Sequence, residues 1–189
     1  AQKYNPTVSG GSVSVNKDNV KTSEEKETLK TDILNKVTVP REAGNVTKEI
    51  QGDLPTTVGS HQVPVKVTYA DGTEDRVNVT VDITETQAQK DTAITASPVS
   101  YKSNVSASDR ENAIKNAVTT TTPGVTIKSK EITGDIPTDY TDGQPVNVAV
   151  TVTYKDGSTK VVEVPVTVTQ TDAQKYNPTV SGGSVSVNK

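Results

Sequence analysis

Alternation of apolar and polar residues at period two is the clearest pattern in the chain. It runs through Val63-Pro-Val-Lys-Val-Thr-Tyr69 and again through Val77-Asn-Val-Thr-Val-Asp-Ile83. Such a run predicts a strand with one face in the core and the other in water. Between the two lies Ala70-Asp-Gly-Thr73, and Asp-Gly readily adopts the positive φ of a tight hairpin. The same arrangement recurs as Val146 to Tyr154, Lys155-Asp-Gly-Ser158 and Val161 to Val168. Two strands of about nine residues make each hairpin roughly 30 Å long.

Ahead of each hairpin the period lengthens to four. Leu29, Ile33 and Val37, with Leu34 alongside, form one apolar stripe, which predicts a short helix. Thr22-Ser-Glu-Glu25 supplies a hydroxyl cap and early carboxylates at its N-terminus. In the second half Ser108-Asp-Arg-Glu111 is the expected cap, with Ile114 and Val118 in the places of Leu29 and Ile33. Val13-Ser-Val15 and Val99-Ser-Tyr101 read as first strands. Gly52-Asp53 and Gly134-Asp135 read as turns, each leading to a Pro that bars a helix. The expected fold is all-β: two tandem Ig-like β-sandwich modules, each with a short inserted helix, arranged as an elongated rod.

Repetition organises these elements. Residues Ala1 to Lys17 and Ala173 to Lys189 carry the same seventeen letters, AQKYNPTVSGGSVSVNK, which sets a period of 172 residues. The chain thus reads as one full period plus the start of the next copy, cut from a longer tandem array. An older duplication lies inside the period. Ala-Gln-Lys begins at Ala1, Ala88 and Ala173, and Ile50-Gln-Gly-Asp-Leu-Pro-Thr56 matches Ile132-Thr-Gly-Asp-Ile-Pro-Thr138. The modules are placed at 1–86 and 87–172, with 173–189 a first segment that cannot form its own core and is expected to pair with the end of the second module. Alternating two diverged modules keeps immediate neighbours dissimilar, which guards against misassembly of adjacent repeats.

Composition sharpens this picture. Thirty Val and thirty Thr among 189 residues suit strands with apolar inner and polar outer faces. Hydrophobic residues make up 31%, so each core is thin, as two small modules require. The absence of Cys excludes disulfides, thiolate metal sites and thiol catalysis. No apolar run reaches the ~18 residues of a membrane span. A net charge of −3 without a basic cluster argues against nucleic acid or an anionic membrane as partner.

Candidate chemistry is sparse. His61 is the sole histidine, in the stretch Thr57 to Gln62, and is expected to be a solvated loop residue. With no nucleophile elbow or phosphate loop, no catalytic, cofactor-binding or metal-binding residue is assigned, and the chain is not expected to be an enzyme. Asp71-Gly-Thr-Glu-Asp75 is acidic but lacks the spacing of a calcium loop, and its counterpart Asp156-Gly-Ser-Thr-Lys160 puts Lys where Asp75 stands. A plain hairpin turn is the expected reading. Tyr69, Tyr154 and Tyr101 are expected in the core, Tyr4 and Tyr176 packed across a domain junction, and Tyr140 exposed.

Thr171-Asp-Ala-Gln-Lys-Tyr-Asn-Pro178 closely resembles the junction motif of the Rib/alpha/Esp repeat family. The hairpins Val65 to Ile83 and Val150 to Val168 are similar to that family's terminal hairpin, while Asp18 to Glu49 is longer than in its compact repeat. The resemblance implies tandem Ig-like repeats of Gram-positive, cell-wall-anchored surface proteins, including biofilm-associated proteins of the Bap and Esp type. It implies an extracellular location at the bacterial surface, with anchoring through a C-terminal region outside this fragment, and no catalytic residues. The function so implied is a spacer that projects a distal adhesive region, its partners the neighbouring repeats of a chain that is monomeric in isolation. The rival is direct adhesion, to host ligands or between copies in a biofilm. Against pairing at strand edges stand Pro64 and Pro165 within the hairpin strands.

Overall fold

The computed structural model describes residues 3–187. The chain divides into two compact units, residues 1–86 and 87–189, each mostly β. In unit one the elements are β1 (Thr7–Val8), β2 (Val13–Asn16), α1 (Ser23–Lys36), β3 (Val37–Thr38), β4 (Thr47–Ile50), β5 (Gly59–Thr68) and β6 (Glu74–Thr84). A four-stranded sheet has the order β2-β6-β5-β4, and β1 pairs with β3 in a small separate ribbon. The first and last strands of the sheet are neighbours and run parallel, Val13 opposite Val81 and Asn16 opposite Thr84. The others are antiparallel.

The inner face of this sheet carries Val63, Val65, Val67, Val79, Val81 and Ile83, all buried. α1 covers it with Leu29 and Ile33, so helix and ribbon together form the second layer of the sandwich. The Thr22 hydroxyl accepts from the Glu25 N–H, and the Glu25 carboxylate accepts from the Thr22 N–H, a reciprocal cap that starts the helix where the sequence places it.

Unit two repeats the plan with α2 (Gln87–Lys90), β7 (Ile94–Ala96), β8 (Val99–Lys102), α3 (Ala107–Ala117), β9 (Val118–Thr120), β10 (Ile127–Ile132), β11 (Val146–Tyr154), β12 (Thr159–Thr169) and α4 (Asp172–Lys175). Its sheet order is β10-β11-β12-β8, with β8 parallel to β12, and β7 pairs with β9. Both hairpins turn through glycine at positive φ, Gly72 at 82° and Gly157 at 84°, as Asp-Gly predicts. Gly134 answers a different need. A Cβ there would lie 2.7 Å from the backbone nitrogen of Ala149, so no side chain fits where the turn crosses β11.

Several expectations are corrected. The cap of α3 is Ser106, not Ser108: its hydroxyl accepts from the Asp109 N–H, and the helix is 11 residues against 14 in α1. Counting back from the residue that ends each helix, Val37 and Val118, Ile114 replaces Ile33 rather than Leu29. The place of Leu29 therefore falls to Arg110. Its guanidinium lies over the Tyr101 ring, 5.8 Å from the centroid, and donates to the Ser103 carbonyl at 2.7 Å. His61 is on β5 rather than in a loop, half-buried, with Nε2 2.7 Å from the Thr57 carbonyl. The strand begins earlier than Val63 because Gly59–Gln62 continue the ladder against β6.

The final segment is fixed only at its start. Lys102 pairs with Asp172 at 3.0 Å and Ser103 donates to Gln174 at 3.1 Å, holding α4 on unit two. From Tyr176 to Ser186 the segment forms no helix or strand and lies exposed, so the expected pairing with the end of the module is not formed by these residues.

Ile33→Ala and Ile114→Ala each remove a fully buried side chain from a thin core. Each is expected to cost about 2–5 kcal/mol in chemical unfolding of the unit that carries it.

Candidate functional site: the seam between leading segment and hairpin

The one buried charged side chain among the described residues is Asp91, with 0% of its surface exposed. It sits just past α2, in the segment that leads into unit two. Its Oδ1 accepts from the hydroxyls of Thr120 at 2.5 Å and Thr122 at 2.7 Å, and its Oδ2 from the Tyr154 hydroxyl at 2.8 Å. Its backbone carbonyl accepts from Lys160 Nζ at 2.7 Å. Burial pushes the carboxyl up, but the hydroxyls of Thr120, Thr122 and Tyr154 and the Ala93 N–H stabilise the charged form more, so it lies below the ordinary aspartate range. Burial, reinforced by the charge of Asp91, drives the Tyr154 phenol well above its usual range. Both groups hold fixed protonation states at neutral pH, so the cluster binds the leading segment to the hairpin and does not exchange protons.

The leading segment is tied to the hairpin tip as well. The Gln87 N–H donates to Asp156 at 2.7 Å and the Ala88 N–H to the Ser158 hydroxyl at 3.0 Å. Asp156 thus accepts across the seam while its other oxygen closes its own turn on Ser158. The acidic hairpin tip is a structural acceptor, the role a turn aspartate ordinarily fills. Among the described residues no group of three or more His, Asp or Glu is placed to hold a metal ion.

Unit one solves the same problem with different side chains. Tyr69, the counterpart of Tyr154, donates to Asp75 at 3.0 Å and to the Tyr4 carbonyl at 2.9 Å. The two rings lie 6.1 Å apart. Tyr4 thus packs inside its own unit and not across a domain junction, because the Tyr69 ring offers it a face. Asp75 holds the position of Lys160, Tyr4 that of Asp91, and the partly buried Val39 that of Thr120. The carboxylate that the buried tyrosine needs has moved from the hairpin to the leading segment, and the cation and hydroxyls have moved to meet it. Tyr101 is buried and Tyr140 exposed, as expected, whereas Tyr176 is exposed at 64%.

With the seam described, the comparisons with known proteins become interpretable. The profile of the Rib domain matches residues 1–85 and 87–170. The chain belongs to the Rib domain family and carries two copies in tandem. A similar curated protein is the C protein alpha-antigen of Streptococcus agalactiae serotype Ia, 35% identical over 158 residues. The match covers 73% of this chain and 14% of that antigen, so the chain spans a small part of its relative's length. Among solved structures, a Bacteroides ovatus protein of a mixed-linkage glucan utilization locus, SGBP-B in complex with a mixed-linkage heptasaccharide, is 16% identical. It covers 69% of this chain and 39% of its own, with a TM-score of 0.21, and so loose a superposition carries no argument.

Lys160→Asp is expected to remove a donor from Asp91 and set a second carboxylate beside it, costing on the order of 2 kcal/mol. Adding Asp91→Tyr and Thr120→Val, which restores the pattern of unit one, should recover most of that loss in denaturant titrations. No recovery would show that the three positions are not coupled.

Asp91→Asn tests the charge. A carboxyl held below its unfolded value, about 3.9, contributes stability above that pH and loses it as pH falls through the folded value. The stability gap between the native chain and Asp91→Asn should therefore be widest near neutrality and narrow below about pH 4.

Proposed function

We propose that the two Rib modules are spacer repeats of a bacterial cell-surface protein, projecting a distal region from the wall to which another part of the protein is anchored. The observation that carries this reading is the parallel pairing of first and last strands within each unit. The chain enters unit two at the hairpin tip, where Gln87 meets Asp156, and leaves at the far end of β12. Eleven residues of strand separate the two ends, about 36 Å at 3.3 Å per residue. Each module therefore advances the chain by close to its own length, and reach grows with copy number. Glu85 and Thr86, neither Gly nor Pro, separate β6 from α2. Lys17 pairs with Glu85 at 2.8 Å, which holds the end of unit one up to its last residue but one. So short a connection favours a stiff rod over a flexible string.

Direct adhesion has less support. Pro64 and Pro165 stand where the third strand on their side of the hairpin stops, Val65 being the first partner of β4 and Val166 of β8. Without an N–H they blunt the stretch of edge that β4 and β8 leave open. Nor is catalysis part of this proposal.

Small-angle scattering on a chain of two full periods tests it. The spacer reading expects a monomer whose greatest dimension rises by roughly 35 to 45 Å for every added module. Coil-like growth, or association in the native state at micromolar concentration, would count against it.

A further inference from the structure

The seventeen residues that open unit one appear a second time at 173–189, and the two copies have different fates. In the first copy, Val13 to Asn16 form β2 along β6, and Thr7–Val8 form β1 against β3. Ser12 donates to Asp82 at 2.7 Å, Lys36 Nζ donates to the Gly10 carbonyl at 2.6 Å, and Tyr4 lies against Tyr69. In the second copy the same side chains lie in water: Val180, Val185 and Val187 are 96%, 90% and 86% exposed. Identical sequence means identical complementarity to the slot beside β6.

We propose that unit one accepts residues 173–189 of a second copy of this chain in place of its own residues 1–17, so that copies join head to tail by strand exchange. The exchange is directional. Unit two requires an aspartate at the position of Asp91, to receive the Thr120, Thr122 and Tyr154 hydroxyls, and a large aromatic at Tyr101. The second copy brings Tyr176 and Val187 to those positions, a match to Tyr4 and Val15 of unit one alone. A donor at one end and an acceptor in the other unit give a heterologous contact, which extends into open chains.

The native chain resists the exchange because its own residues 1–17 are tethered, at an effective concentration in the millimolar range. Monomers therefore persist in dilute solution, and exchange is a property of crowded copies or of a weakened first segment. It differs from edge pairing, since it uses a vacated interior position of the sheet layer rather than an open ladder. It does not depend on the spacer reading, and its failure would leave that reading intact.

The test uses full-length variants. Val13→Asp with Val15→Asp disables the first copy and leaves the donor untouched. This variant is expected to form a ladder of oligomers in analytical ultracentrifugation, with both units folded by circular dichroism and thermal melting. Adding Val185→Asp and Val187→Asp disables the donor too, and should return the chain to a monomer in which unit one is melted and unit two is folded. A fluorescent peptide with the sequence of residues 173–189 should bind this second variant and restore unit one. A monomeric first variant, whether melted or folded on its own tail, would overturn the proposal. So would oligomers that survive the loss of Val185 and Val187, or failure of the peptide to bind.

Discussion

The parallel contact between the first strand and the last is the constraint on which the rest of each module depends. Antiparallel hairpins close on themselves, but parallel neighbours need a long crossover. Here everything between β2 and β6 is that crossover: a capped helix, a short ribbon and the β4–β5 connection. The crossover returns across the inner face of the sheet, so the helix that makes the connection also supplies the cover for the core, through Leu29 and Ile33 in unit one. The same contact carries the chain in at one end and out at the other. A module closed by an antiparallel pair of first and last strands would bring its termini to the same end and could not be strung in line.

A second constraint follows at the hairpin tip. A tyrosine buried there, Tyr69 or Tyr154, must find an acceptor for its hydroxyl, and an unpaired buried phenol is costly. The two units meet that need from opposite sides of the seam, one with Asp75 on the hairpin and the other with Asp91 on the leading segment. Three positions change together, and each unit remains satisfied. Divergence at this seam also gives each slot its own preferred leading segment, so neighbouring modules do not trade segments while copies one period apart remain interchangeable.

Much of this was legible before the fold was known. The hairpins followed from strict alternation and Asp-Gly because both signals are local, and β11 spans Val146–Tyr154 as read from the pattern. The cap of α1 was legible for the same reason. The cap of α3 was not: Ser106 and Ser108 are both capping residues, and only the packing of Ile114 on the sheet decides the helix phase. Asp91 was missed because a single aspartate after a polar quartet looks solvated. Its signal lay in the comparison of halves, where Lys160 for Asp75 and Asp91 for Tyr4 are complementary changes rather than independent drift.

By itself the sequence determined the period of 172 residues, the modular division, the hairpins and the near absence of reactive groups, since these are properties of identity, alternation and composition. Tertiary structure alone decided that the first strand runs parallel to the last, that His61 extends a strand, and that one carboxylate is buried beneath three hydroxyls. It also decided that the second copy of the leading segment, identical letter for letter to the first, has no strand to join. The physical reason is common to all four: strand partners and burial depend on what lies opposite, and a sequence written in one dimension does not say what lies opposite.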